Sequence, residues 1–290
     1  MQKLIINIKN KYARIGKFWR PCAMSGMNVV VKISRILVLV LFCLLLASNL
    51  SCHINDNHDN DDRDNLILLV LLYLFSGTNP ASNPEGSLVD TVEDGAAKTN
   101  YIFSNVNFGT AASDRLLVIF VNGQRDVGGV INSASVGGVS ATLAQNDSRT
   151  DGSIATIIAA VPAGTAGDVA INWSILQQGS AIQVYRLSNL SSTTPIISIH
   201  DEISPLTQTI SYEANSVIMA HAKMWNAASA PTFLWSGSAN LNELVDTKLT
   251  GSNQAYSSAM RIMDSPGSGA VVTASSSGGS APVMNIIGFK

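Results

Sequence analysis

Charge is scarce in this sequence of 290 residues: Asp, Glu, Lys and Arg together make up 13%, about half the ~25% of an ordinary soluble domain. That shortage excludes a charged coiled coil, a highly charged disordered chain and a basic nucleic-acid surface. Cysteine is scarcer still, with three residues, Cys22, Cys43 and Cys52, all near the start of the chain. No disulfide can therefore staple the rest, and a domain of that size needs none. No apolar run reaches the ~20 residues of a membrane-spanning helix. Several chemical signatures are missing: Gly-x-Ser-x-Gly, the phosphate loop, His-Glu-x-x-His, Cys-x-x-Cys and Gly-x-Gly-x-x-Gly. Cofactor chemistry is accordingly not expected, and no enzyme class is indicated.

What is present is distributed unevenly. Residues 1–35 carry eight basic side chains (Lys3, Lys9, Lys11, Arg14, Lys17, Arg20, Lys32, Arg35) and no acidic one, although the whole chain has a formal charge of −2. Such asymmetry marks a targeting segment. The apolar run Ile36 to Ala47 follows Lys32 and Arg35. At 1.5 Å per residue it spans ~18 Å as a helix, short of a ~30 Å hydrocarbon core, so it reads as a secretory signal or anchor helix. Residues 1–26 precede Met27, itself a natural start for such a signal, and read as an over-extended start or a long basic leader.

After the run stands Asn49-Leu50-Ser51-Cys52. This resembles the lipobox of bacterial lipoproteins, in which a small residue precedes the cysteine that becomes the acylated N-terminus; Asn49 departs from the usual aliphatic residue. The resemblance implies lipidation at Cys52 and export. It also implies anchoring to the cell membrane or outer membrane, with the bilayer as partner through the acyl chains.

Residues 52–86 follow as a tether. His53 to Asn65 is rich in Asp and Asn, has nothing apolar to bury and reads as a disordered, solvated spacer. A divalent-cation site on His53, His58 and the aspartates is disfavoured, because Gly and Glu are missing at the EF-hand positions. Leu66 to Phe75 is a ten-residue apolar block, and Gly77 to Gly86 is a Pro/Gly/Asn/Ser linker.

Residues 87–290 read as the globular domain. Short β-rich runs recur between turn signals: 116–121, 135–143, 154–161, 169–175, 181–187, 216–225, 255–263, 269–274 and 283–289. Val169, Ile171, Trp173 and Ile175 alternate with Ala170, Asn172 and Ser174, the pattern of a half-buried antiparallel strand. Gly137-Gly138 suits a tight hairpin needing positive φ. Pro162-Ala163-Gly164 and Ser265-Pro266-Gly267 close two further runs. The expected fold is all-β, a two-sheet antiparallel sandwich of jelly-roll type with at least nine strands, preceded by the signal helix and tether.

The succession Ser113 to Phe120, Ser133 to Leu143, Ala160 to Ile171 and Ala181 to Arg186 resembles a β-sandwich domain of bacterial surface and phage-tail-associated proteins. That likeness implies a fold and an interaction role and brings no catalytic residues with it.

Candidate site residues are few. Trp225, Phe233 and Trp235 flank a short connection and form either a sugar-stacking patch or core. Asp147 and Asp151 lie on an oxygen-rich loop that suits a plain turn better than calcium. His200-Asp201-Glu202 reads as a solvated loop rather than a metal site, His221 as a core-edge histidine, and Asp114-Arg115 as a turn cap or local ion pair. The expected function is a lipid-anchored, surface-displayed, non-enzymatic module. Its alternatives are a carbohydrate-binding module and a structural part of a phage-tail-like or envelope assembly. Its partners would be a glycan or an extracellular protein, not nucleic acid.

Overall fold

The computed structural model describes residues 83–124, 128–149, 152–225 and 232–290, all within the compact unit Thr78–Lys290. Cys52, the leader, the tether, the Leu66 to Phe75 block and Asp151 lie outside the described residues.

Valine, isoleucine and aromatic runs punctuated by Gly, Pro and Asn make strands here and nothing else. The described residues form seventeen strands and no helix. In chain order they are β1 (Glu85–Asp94), β2 (Lys98–Asn107), β3 (Leu116–Gln124), β4 (Ile131–Val136), β5 (Val139–Ser140), β6 (Thr142–Arg149), β7 (Gly152–Ala160), β8 (Ala166–Gln177) and β9 (Gly179–Ser188). There follow β10 (Ile197–Asp201), β11 (Leu206–Tyr212), β12 (Ser216–Trp225), β13 (Phe233–Ser236), β14 (Asn242–Lys248), β15 (Ala255–Met263), β16 (Gly267–Ser276) and β17 (Ser280–Phe289). They pair antiparallel into four sheets, ordered β1-β9-β3-β7-β6, β2-β8-β4-β5, β10-β17-β12-β15-β14 and β11-β16-β13.

Those orders disclose a duplication. Matching β1 with β10, β2 with β11, β3 with β12, β4 with β13, β6 with β14, β7 with β15, β8 with β16 and β9 with β17 superimposes both sheets of residues 85–188 on both sheets of residues 197–289. Only β5 lacks a counterpart among the described residues. The correspondence extends to register. Val118 pairs with Ile158 and Tyr185; its counterpart Met219 pairs with Met260 and Ile287. Even a bulge recurs, between Leu143 and Gln145 on β6 and between Glu243 and Val245 on β14. The sequence reading had a single pair of sheets; the chain holds two such pairs. The repeat escapes inspection because it keeps burial pattern and turn position rather than residue identity.

Within each half the two sheets share one core. Leu117, Ile119, Val121, Ile157 and Val184 of the first five-stranded sheet pack with Tyr101, Phe103, Val136, Val169, Ile171 and Trp173 of its neighbour. The second half repeats this with Ile218, Ala220, Ala259 and Ile286 against Ile210, Trp235, Val272 and Ala274. A third cluster joins the halves, in which Leu116, Val118, Phe120, Ile158, Tyr185 and Leu187 meet Val217, Met219, Met260, Ile287 and Phe289. The two five-stranded sheets therefore lie back to back, and β3 and β12 are buried on both faces along almost their whole length.

That interface also carries polar groups. One row of cross-strand neighbours in the second half runs His200, Asn285, His221, Ser258; the matching row in the first runs Thr91, Gln183, Phe120, Thr156. Tyr185 Oη and Ser258 Oγ lie 2.5 Å apart across the interface. Gln145 Nε2 donates to Ile199 O at 2.9 Å and Ile286 O at 3.0 Å. Lys223, 3% exposed, donates from β12 to Gly123 O and Ser153 O of the first half, at 2.6 and 3.1 Å. Gln145 thereby ties β6 to β10, and elsewhere across the interface Tyr256 of β15 donates to Glu93 of β1 at 2.8 Å.

Several local expectations hold. Gly137 and Gly138, at φ 57° and 79°, make the β4–β5 hairpin, a turn that residues with a Cβ enter only at a cost. Arg115 is a turn cap of unusual completeness. Its guanidinium, 1% exposed, donates to Val161 O, Phe108 O, Gly109 O, Ala163 O and Gly164 O. It thereby ties the β2–β3 loop to the β7–β8 turn. Asp114 instead accepts from Asn189 N, so the two neighbours do not pair.

Removing Arg115 would strand these buried carbonyls, each of which costs on the order of 1 kcal/mol or more when left unbonded. Arg115→Met is expected to lower unfolding free energy by about 3 kcal/mol in denaturant titration. A loss below about 1 kcal/mol would show that the carbonyls find other donors.

Candidate functional site

The residues singled out from the sequence scatter in the fold. Phe233 and Trp235, 3% and 8% exposed, face the interior of the second half, where Trp235 Nε1 donates to Ser257 Oγ at 2.7 Å. Trp225 sits half-buried at the end of β12. Phe233 and Trp235 thus present no stacking surface to a sugar, and β13 places them in the core because its alternate residues point inward.

Asp147 and His200 do come together, from β6 of the first half and β10 of the second. His200 Nδ1 is 2.6 Å from Asn285 Oδ1 and 3.2 Å from Asp147 Oδ2. Nε2 is 2.8 Å from Glu202 Oε1. The ring N–H is aimed at Asn285, so the Asp147 contact is chiefly one of charge. Asp147, followed by Glu202 and Asn285, holds the imidazole protonated and raises its pKa to about 9, against the desolvation of a half-buried ring. The two calcium candidates are not observed as a pair, Asp151 being outside the described residues. Among the described residues no group of three or more His, Cys, Asp or Glu is disposed to hold a metal ion. The cluster is best described as an ion-pair latch at one edge of the interface. No spacing in the sequence announces it, since its members are brought together by the packing of one half on the other.

His221 has the opposite fate. It is fully buried, tilted against Phe120 with ring centroids 4.5 Å apart, and neither ring nitrogen has a hydrogen-bond partner. Burial first, then Lys223 and His200, push its pKa well below 6.5.

The outer sheet of the first half is the other polar feature. Its solvent face carries a directed amide row, Asn132 Nδ2 donating to Asn172 Oδ1 at 3.3 Å and Asn172 Nδ2 to Asn100 Oδ1 at 2.6 Å. Beside the row lies a trough of about 490 Å³ whose lining includes Ile102, Ser135, Ser140 and Ala170 and no charged side chain. Half of this face was legible, because Ala170, Asn172 and Ser174 are the polar phase of the β8 alternation. The pairing of β8 with β2 and β4, which assembles the row, was not.

Against this geometry, no protein-family model matches the sequence, and comparison with curated proteins finds no match.

The two histidines set opposite limits on stability. His200 is protonated in the fold above the pH at which it loses its proton unfolded, so its contribution is full below pH 6.5 and is lost as pH rises through about 9. His221 is neutral in the fold but protonates when unfolded, so stability also falls as pH drops below 6.5. Thermal unfolding followed from pH 5 to pH 10 should peak near 6.5. His200→Gln should flatten the alkaline limb, and an unchanged limb would exclude the latch.

His221→Leu, by contrast, should flatten the acid limb. It should also raise stability at neutral pH by about 1 kcal/mol, because a buried polar ring without partners is replaced by an apolar side chain.

Proposed function

We propose that this chain is a lipid-anchored protein exported to the cell envelope, whose tandem β-sandwiches of jelly-roll type act as a non-enzymatic binding or structural module. The observation that carries the reading is the use made of the ionisable groups in the described region. His200, Asp147 and Glu202 close one edge of the interface between the halves, Lys223 bridges it, and His221 is sealed inside it. Such groups hold two sheet pairs in one fixed relation. A rigid body of this kind suits presentation to a partner.

The anchoring half of the proposal rests on the sequence. The basic leader, the apolar run Ile36 to Ala47 and Asn49-Leu50-Ser51-Cys52 stand in the order of a lipoprotein signal. The Asp/Asn-rich tether after Cys52 would hold the folded unit clear of the headgroups. Acyl chains contribute ~0.8 kcal/mol per buried CH₂, and two or more make attachment stable.

Metabolic labelling with a tritiated fatty acid, combined with membrane fractionation, tests this reading. Wild type is expected to carry label and sediment with membranes, whereas Cys52→Ala loses the label. Absence of label from both proteins would overturn the anchor.

A further inference from the structure

The duplication provides a comparison inside one molecule, because both outer sheets do the same structural work. In the second half the outer positions equivalent to Asn100 and Asn172 are Thr207 and Thr273, paired in the same register and joined hydroxyl to hydroxyl at 3.1 Å. The sheet therefore needs no amides there. Next along the face, Ile102 pairs with Ala170 in the first half, where Thr209 pairs with Val271 in the second. The first half thus has a methyl floor beside an isoleucine 63% exposed; at the matched positions the second has a bulkier valine and a threonine, its own exposed apolar residue, Leu234, standing on β13 instead. β5, which puts Ser140 opposite Ser135 at the trough's other side, has no counterpart among the described residues of the second half.

Three departures from the duplicate converge on one trough: amides for hydroxyls, alanine for valine, and an added hairpin. None is required by the core, since the equivalent sheet does without them. We infer that the trough on the β2-β8-β4-β5 face is a binding site for an uncharged oligosaccharide. This inference deepens the reading of the chain as a surface-displayed binding module and rests on it.

The chemistry specifies the ligand class. The amide row has a direction and ends, at the trough, in the Asn100 Nδ2 donor. A sugar hydroxyl, which both donates and accepts, can accept from that amide and donate to a neighbouring serine. Ser135 and Ser140 add adaptable hydroxyls, and exposed Ile102 meets the C–H face of a pyranose ring. The depression, about 490 Å³ and open to solvent, would take a chain lying along the sheet surface rather than enclose a small molecule. A lining without charge has no counter-ion for a uronic or sulfated chain, and a carboxylate or sulfate brought there would lose hydration without compensation.

The test uses the full-length protein in a non-ionic detergent free of sugar headgroups, applied to an array of uncharged glucan, mannan, galactan and N-acetylglucosamine oligomers. At least one oligomer is expected to be retained. Ala170→Val and Asn172→Thr, each importing the residue of the duplicate, are expected to weaken its binding at least about tenfold with the unfolding temperature unchanged. Thr273→Val, on the other outer face, is expected to leave binding intact. Retention of no uncharged oligomer, retention of anionic chains alone, or unaltered binding by both first-half variants overturns the site. A fatty-acid label on Cys52 in the same preparation would leave the anchoring proposal standing in each of those outcomes.

Discussion

The contact on which the rest depends is the packing of one five-stranded sheet on another. A sheet facing water on one side can alternate apolar and polar residues, but β3 and β12 have no such side. Each must satisfy its own half's core with one set of residues and the opposite half with the other. Hence Leu116 to Val121 is a continuous apolar run, with Leu117 and Ile119 facing one core and Val118 and Phe120 the other. Hence also the burial of His221, Gln183, Asn285 and Lys223, whose positions along the strand would be solvated on an ordinary half-exposed sheet.

Those buried polar groups explain why the two halves meet in a single way. Apolar faces alone define an interface poorly, because a slip by two residues brings equivalent side chains opposite one another. Gln145 on two carbonyls of the other half, Tyr185 on Ser258 and Lys223 on Gly123 and Ser153 are each satisfied at one register only. The stability cost is real, since Gln183 and His221 retain buried atoms with no partner. It is an expense in free energy that fixes geometry, as polar residues at buried interfaces do in other settings.

This arrangement also decides what could be seen in the sequence. Eight of the nine runs fall each on one strand, most of them in sheet interiors, and the ninth, 135–143, spans the β4–β5 hairpin and the start of β6. The strands that went unread, β1, β2, β10, β11, β13 and β14, are all edges of their sheets. An edge strand has one neighbour and a larger wet surface, so its composition drifts toward the polar: Asn242–Lys248 reads NELVDTK, with no apolar period to find. The core alternation of β8 and the hairpin glycines were legible because they are local. The Asp147–His200 latch was not, because it arises only when β6 of one half meets β10 of the other. Aromatic content misled differently. Phe233 and Trp235 cluster in sequence beside Trp225, but alternation along a four-residue strand turns both toward the core.

Duplication changes how the surfaces should be read. Inner faces and interface faces answer to packing in both halves, and there the two copies agree in strand order, in the register of β3 and β12 with their neighbours and in the β6 and β14 bulge. The outer faces answer only to water, so a difference between them is free of that constraint. At the matched positions of the second outer sheet stand threonine and serine side chains, what solvent alone asks of a strand surface, and its exposed leucine, Leu234, lies on the neighbouring strand β13. On the first, three asparagines are hydrogen-bonded into a line, an isoleucine stands uncovered, and the residue between Ile102 and Ser135 shrinks to alanine. Asparagine is among the poorer strand formers, and an exposed isoleucine gains nothing in the folded state from facing water. Neither change helps the sheet that bears it, and at the matched positions the equivalent sheet has threonine instead. Their joint occurrence around one depression therefore points outward, to something the fold itself does not contain.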